Sequence, residues 1–218
     1  MKKIGNFWVP DIDAQQGSNL QLTKASFEDR GGIQIDNLIN ALKVIKRFDL
    51  AIDGGANVGS WTRVLADHFQ QVVSFEPNHD AFECLQRNIT EWQIADRVTA
   101  YKEAISDRHE MVCVAPAKQG RRTVTAQVIG PGDIPTKTID DLQLTACSFI
   151  KLDLEGYEAK ALAGATATVA KFRPWIMVEN KKKHSFFKSS AEQILQKWGY
   201  QLIGKYGDRQ IDWLYEPV

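Results

Sequence analysis

Asp53-Gly54-Gly55-Ala56-Asn57-Val58-Gly59 is the most informative stretch of this sequence. It follows a short apolar run, residues 50–52, and precedes an amphipathic segment, residues 60–69. A connection without bulky side chains lets backbone N–H groups approach a ligand, and the N-terminus of the following helix attracts negative charge. The stretch therefore predicts a ligand-binding loop between a strand and a helix of an α/β sheet.

Short apolar runs alternate with amphipathic segments on both sides of this loop. The predicted strands are residues 50–52, 72–75, 98–101, 149–152, 175–178, 200–206 and 212–216. The predicted helices are residues 35–45, 60–69, 79–92, 157–170 and 189–198. This alternation is typical of a mostly parallel sheet with helices on both faces, and the two consecutive strands at the end predict an antiparallel edge.

Length and composition predict one globular domain. The 218 residues include 27 Lys and Arg against 27 Asp and Glu, which excludes a polybasic, histone-like binder. Residues 34–218 are expected to form the domain, with an insertion hairpin over 108–138, and residues 1–33 an irregular arm in which Trp8 is a candidate lid over the cleft. Three scattered cysteines and the absence of a long apolar stretch predict a cytoplasmic protein without a membrane partner.

An acid in Phe75-Glu76-Pro77 narrows the ligand to one that contains a nucleoside. It lies about 20 residues after the glycines, where a carboxylate can accept both hydroxyls of a ribose. Ala56 breaks the dinucleotide pattern G-x-G-x-x-G, and no Walker lysine follows Gly59. Asp53 suits a cationic amino group better than a pyrophosphate. S-adenosylmethionine, which has an amino group, a carboxylate and a ribose but no phosphate, is therefore the favoured cofactor.

Further acids follow the fourth and fifth predicted strands. Asp153 and Glu155 are two positions apart, so they point the same way if the strand continues, and Glu179 ends the next strand. Ligands of open α/β sheets bind outside the carboxyl ends of the strands. Together with Asp53 and Glu76, these acids predict a wet functional cleft or a bound cation, because unpaired buried carboxylates are costly.

Several stretches of the chain carry a resemblance to a known family. They are residues 52–59, Phe75-Glu76-Pro77, Glu103-Ala104-Ile105-Ser106-Asp107, Thr138-Ile139-Asp140-Asp141-Leu142, residues 150–158, Leu162-Ala163-Gly164-Ala165, and Arg173-Pro174 leading to Glu179. With these stretches the chain resembles the FkbM family of S-adenosylmethionine-dependent methyltransferases over about residues 48–180. The blocks at 138–142 and 151–158 are the most specific, whereas residues 1–33 and 181–200 have no counterpart.

The resemblance implies a Rossmann-like class I methyltransferase fold, with a mostly parallel seven-stranded sheet and an antiparallel C-terminal edge. It also implies a set of cofactor-binding residues: Asp53, Gly54, Gly55, Ala56, Asn57 and Gly59 at the methionine end, Glu76 and Pro77 at the ribose, Glu103 and Ala104 near the adenine, and Asp153 facing the transferring methyl group.

Methyl transfer to an alcohol requires a base that removes the hydroxyl proton as the new bond forms. Asp153 is the first candidate, Glu179 the second, and His184, just past the fifth strand, the third. A divalent metal such as Mg²⁺, held by Asp153 and nearby carboxylates, is an alternative way to polarise a sugar diol.

The acceptor remains open between three classes at this stage. Many members of the family methylate hydroxyls of sugars or natural products, which favours a small hydroxylated acceptor. The basic and aromatic segment 180–188 keeps a nucleotide-linked sugar or a nucleic acid open, since such residues hold phosphates and stack on bases. A non-catalytic protein that binds S-adenosylmethionine or another nucleoside is the third class.

Overall fold

The computed structural model describes residues 1–14, 27, 31–32, 34–116, 126–180, 190–207 and 210–218. The strands within them are β1 (Lys2–Ile4), β2 (Phe7–Val9), β3 (Leu50–Gly54), β4 (Gln71–Phe75), β5 (Val98–Tyr101), β6 (Ala104–Ile105), β7 (Met111–Pro116), β8 (Ala126–Pro131), β9 (Ile134–Lys137), β10 (Phe149–Leu152), β11 (Trp175–Glu179), β12 (Tyr200–Tyr206) and β13 (Asp212–Pro217). The helices are α1 (Asp11–Ala14), α2 (Ile35–Leu42), α3 (Ser60–His68), α4 (His79–Glu91), α5 (Glu158–Ala163), α6 (Thr166–Phe172) and α7 (Ala191–Lys197), with a 3₁₀ turn at Asp140–Leu142.

A seven-stranded sheet is the centre of the molecule. Its strand order is β12-β13-β11-β10-β3-β4-β5. Strands β3, β4, β5, β10 and β11 are parallel to their neighbours in this group, whereas β13 runs antiparallel to both β11 and β12. The predicted mostly parallel sheet is confirmed. The antiparallel strand lies one position inside the edge, because β13 turns back from the edge strand β12 and fills the gap beside β11.

Alternation of side chains along the strands divides the core into two layers. In β10, Phe149 packs with the cluster that covers α2, α3 and α4, whereas Ile150 packs with the cluster that covers α5, α6 and α7. In β3, Ala51 packs with the first of these clusters and Ile52 with the second. Apolar residues on both faces are typical of a parallel sheet between two helical layers.

The predicted helix 157–170 is two helices. The chain turns at Gly164, where an added Cβ atom would lie 2.1 Å from the backbone oxygen of Ser106. Helix α6 then begins at a distant cap, because the Asp140 carboxylate accepts hydrogen bonds from the N–H groups of Ala167 (3.0 Å) and Thr168 (2.7 Å). The close approach at Gly164 and the cap by Asp140 are both contacts between residues distant in sequence. The local periodicity of the sequence therefore could not predict the break between the two helices.

The start of the chain contains regular elements where an irregular arm was expected. Strands β1 and β2 pair antiparallel, and Phe7 and Val9 are buried. Trp8 lies against α4: its indole N–H donates to Glu91 (2.6 Å), and the Arg87 guanidinium is 3.7 Å from its ring centroid. The side chain of Trp8 is thus held by two residues of α4, and its role as a lid over the cleft stays a prediction.

The region expected to hold an insertion hairpin belongs to a second, smaller sheet. Strands β7 and β8 pair antiparallel, and β9 joins β7 to β6 in the order β6-β9-β7-β8. The connection 117–125 lies outside the described residues. Across the described part of the chain, none of the helices has the length and apolar character needed to cross a bilayer.

Candidate functional site

The glycine loop is fixed between β4 and the end of β10. The N–H groups of Gly55 and Ala56 both donate to the backbone oxygen of Phe75, at 2.9 Å. Gly55 has a φ of 76°, and an added Cβ atom would lie 2.0 Å from the backbone oxygen of Asp153. Only glycine can occupy this position, since any other residue would combine a left-handed backbone with a collision against another strand's end.

The loop continues into α3 through two more left-handed residues. Asn57 has a φ of 50°, a conformation that asparagine tolerates better than most residues, and its N–H donates to Glu76 Oε2 at 2.8 Å. Gly59 has a φ of 94° and directly precedes α3. The loop therefore meets the acid at the end of β4.

Glu76 is a buried carboxylate with capacity for further hydrogen bonds. Its Oε1 accepts from the N–H of Asn78 and its Oε2 from that of Asn57, each at 2.8 Å. Burial raises the pKa of Glu76 to about 7, although these two hydrogen bonds oppose the shift. Each oxygen of an ionised carboxylate can accept two hydrogen bonds, so both can still accept a hydroxyl. The group suits a vicinal diol such as a ribose, and partly buried Pro77 follows it directly.

Asp53, the acid expected at the amino group of the cofactor, is paired with groups of the chain itself. The side chain is fully buried, and Oδ1 lies 3.1 Å from Lys151 Nζ. The Thr62 hydroxyl donates to Oδ2 at 2.7 Å and lies 3.0 Å from the Ser74 hydroxyl. A lysine of the chain itself balances Asp53, and the same lysine contacts the glycine loop.

Three acids converge where β10 and β11 end. One carboxylate oxygen each of Asp153, Glu155 and Glu179 lies within 4.8 Å of the others. The strand was expected to continue through Asp153 and Glu155, but β10 stops at Leu152. A left-handed turn, in which Glu155 has a φ of 51°, brings the acids together instead. Asp153 is half-buried, and the other two are buried. The cluster could hold a cation or take up a proton. Asp53 and Glu76 do not belong to it: Asp53 contacts Lys151 and Thr62, and Glu76 accepts from two backbone N–H groups.

Lys151 stays charged among these acids. Burial lowers its pKa, but the attraction of Asp53 and Asp153 outweighs that effect, so the pKa of Lys151 lies above its ordinary value. Lys151 Nζ also donates to the backbone oxygen of Gly55 at 2.8 Å. One buried cation thus connects the acid at the end of β3 with the glycine loop.

The residues expected near an adenine lie beyond the end of β5. The Glu103 carboxylate is 3.5 Å from Lys137 Nζ, and Ala104 is buried at the start of β6. Beside them the ring of Tyr101 stacks on that of Phe75, with centroids 5.2 Å apart. Both rings pack against the core cluster that covers α5, α6 and α7.

Some residues of the site were not singled out from the sequence. Besides Lys151 and Thr62, the buried Asn88 of α4 contacts the loop: its amide group donates to the backbone oxygens of Val58 (2.8 Å) and Trp8 (3.0 Å) and accepts from the Trp8 N–H (2.7 Å). The available signal was a polar residue on an apolar helix face, next to Leu85 and Ile89. His184 and segment 181–189 lie outside the described residues.

Comparison with known proteins gives the family and the fold. A family model for the methyltransferase FkbM domain matches residues 53–202. No curated protein matches the chain. Among solved structures, the FkbM methyltransferase of Methylobacillus flagellatus is 23% identical with a TM-score of 0.54, and the match covers 80% of this chain but only 45% of that one.

Two further solved structures have the same fold at lower identity. Precorrin 8W decarboxylase of Methanobacterium thermoautotrophicum is 15% identical with a TM-score of 0.55, and the match covers 100% of both chains. An S-adenosylmethionine-dependent O-methyltransferase of Thermotoga maritima is 14% identical with a TM-score of 0.50, covering 90% of this chain and 71% of that one. These likenesses establish the class I fold and leave the substrate open.

Proposed function

Because the chain belongs to the FkbM methyltransferase family, we propose that it transfers the methyl group of S-adenosylmethionine to a hydroxyl of a sugar or another small hydroxylated metabolite. The observation that carries the proposal is the buried Glu76 beside the glycine loop. Its carboxylate has two oxygens that can each accept another hydrogen bond, at the place where an α/β sheet of this type binds a nucleoside.

The residues present fit this cofactor. When bound, S-adenosylmethionine supplies an electrophilic methyl group on a positively charged sulfur. Glu76 would hold the ribose hydroxyls, Glu103 and Ala104 would flank the adenine, and loop 54–59 would lie along the methionine end. Asp53 would act on the loop through Lys151, with which it is paired.

The chain's contribution to the reaction is to orient the acceptor and to take up its proton. Alignment of the two reactants supplies much of the rate in a displacement of this kind. Asp153 is the proposed base, since it is the half-buried member of the acidic cluster and its backbone abuts the glycine loop. Glu179 lies within the same cluster and is the second candidate.

Among the residues that the structure describes, the charges around the cleft favour an acceptor without phosphate groups. Asp153, Glu155 and Glu179 place three carboxylates beside one another, and Lys151 is the buried cation among them. Such a field attracts cationic hydroxyl compounds, does not oppose neutral ones and repels phosphates. It therefore supports a neutral or amino sugar over a nucleotide-linked sugar or a nucleic acid.

Calorimetric titration with S-adenosylhomocysteine tests the cofactor. We expect a micromolar Kd for the wild-type protein and a loss of about tenfold or more in Glu76→Ala, because two hydrogen bonds to an ionised group are removed. Glu83→Ala, an exposed acid of α4, is the matched control and should bind like the wild type. Absence of binding to the wild type would overturn the proposal.

The pH dependence of binding adds a second readout. Glu76 accepts two hydroxyls only when it is ionised, and its pKa is about 7. The Kd of 5′-methylthioadenosine, which has the ribose but no amino-acid part, should rise as the pH falls from 8 to 6.

Methyl transfer to neutral, cationic and phosphorylated sugars then tests the acceptor class. Preferential transfer to the phosphorylated sugars would contradict the electrostatic argument.

A further inference from the structure

Lys151 makes two contacts that join the centre of the sheet to the glycine loop. It is 6% exposed and lies directly opposite Asp53 in the pairing of β10 with β3. Its Nζ is 3.1 Å from Asp53 Oδ1 and 2.8 Å from the backbone oxygen of Gly55. A buried ion pair is often replaceable by apolar residues without loss of stability, so the pair alone does not explain a lysine at this position.

The second contact fixes one peptide group from both ends. The peptide unit between Gly55 and Ala56 offers one oxygen and one N–H. Lys151 donates to the oxygen, and the N–H donates to the backbone oxygen of Phe75 at 2.9 Å. With this peptide plane held, the next N–H, that of Asn57, is aimed at Glu76. The orientation of the glycine loop toward Glu76 therefore depends on the ammonium group of Lys151, a residue of β10.

We propose that Lys151 is a positioning residue for methyl transfer, which presets the glycine loop for the cofactor by holding the Gly55–Ala56 peptide. This inference rests on the proposed function. It differs from a role in neutralising Asp53 alone, which would matter for folding and not for the affinity of the folded protein. Lys151 acts through the loop and is not assigned a contact with the substrate.

A pair of variants separates the two roles. Lys151→Met leaves Asp53 buried without its cation and should lower the Tm by about 10 °C. The double variant Asp53→Asn/Lys151→Met removes both charges and should recover most of that loss. In the double variant the Gly55 oxygen still lacks its donor, so we expect the Kd of S-adenosylhomocysteine to rise about tenfold or more. Lys43→Met, at an exposed lysine of the surface, should change neither quantity.

The outcomes are distinguishable from those of the cofactor test. Binding of S-adenosylhomocysteine by the double variant within about twofold of the wild type would overturn the inference while leaving the proposed function intact. Failure of the wild type itself to bind would instead remove the proposed function. Recovery of the Tm together with weak binding supports Lys151 as a positioning residue, because a purely structural lysine would recover both.

Discussion

At the scale of single residues, Gly55 carries the tightest steric constraint in the site. Its φ of 76° lies in the left-handed region, and the Asp153 oxygen would be 2.0 Å from an added Cβ atom. Gly31 is a useful counterpart, since its φ of 71° is nearly the same but an added Cβ atom would meet no atom of the described residues within 4 Å. The two glycines therefore separate backbone strain from collision.

We expect Gly55→Ala to be far more damaging than Gly31→Ala. The left-handed backbone alone costs about 1–2 kcal/mol in either variant. At Gly55 the collision adds about 1–3 kcal/mol and pushes the loop away from β10. Denaturant unfolding measures the loss of stability, and calorimetry with S-adenosylhomocysteine should detect no binding to Gly55→Ala. Equal losses of stability in the two variants would contradict the assigned collision.

At the scale of elements, helix α4 joins the N-terminal hairpin to the glycine loop through Asn88. All the hydrogen-bonding groups of this buried amide side chain are used, by Val58 on one side and by the two backbone groups of Trp8 on the other. The hairpin of β1 and β2 is thus attached to the same residue that supports the loop. A change in one element is expected to reach the other through this side chain.

Asn88→Ala tests this connection. Removing the amide group leaves three backbone groups without their partner, which costs about 1–3 kcal/mol for each one that water cannot reach. Hydrogen exchange should show faster exchange at the Trp8 amide, which donates to Asn88. Asn40→Ala, at an exposed residue of α2, is the control and should leave that amide protected. Unchanged exchange at Trp8 in Asn88→Ala would refute the coupling.

The elements also show which features a sequence can predict. Strands β5 and β10 have the predicted bounds. All four residues of β10 are buried, as is typical of a strand inside a parallel sheet, whereas β5 is an edge strand with Thr99 exposed. Glu76 could be found from its spacing after the glycines. The break at Gly164 and the partners Lys151 and Asn88 could not, since each depends on a residue distant in sequence. A periodicity search follows apolar positions, so a polar side chain buried for a long-range contact is not distinguished from an exposed one.

At the scale of the whole molecule, the protein contains buried acids that make its stability depend on pH. The Oε1 atom of Glu158 accepts from the N–H groups of Leu154 (2.8 Å) and Gly156 (3.2 Å). Burial raises the pKa of Glu158 to about 7 from its ordinary value of 4.5. Between these two values the folded state binds more protons than the unfolded state, so the contribution of this group to stability falls as the pH rises from 4.5 to 7.

Glu158→Gln should therefore stabilise the protein at pH 8. The amide oxygen can accept the same two hydrogen bonds, and the buried charge is removed, a gain of up to about 3 kcal/mol. The gain should disappear near pH 4.5, where the wild-type side chain is protonated. Unfolding measured from pH 5 to pH 8 checks this, with the exposed Glu83→Gln as control. A constant difference across that range would contradict the assignment.

The pairing of β3 with β10 has a consequence for the way the chain acquires its site. These neighbours are about 100 residues apart along the chain, and the Lys151–Asp53 ion pair crosses the boundary between the two halves of the sheet. A partly folded chain in which the halves have not met has no closed glycine loop. A ligand that binds there selects completed molecules and stabilises them by mass action. The supply of cofactor in a cell would then also set how much of the newly made protein survives proteolysis.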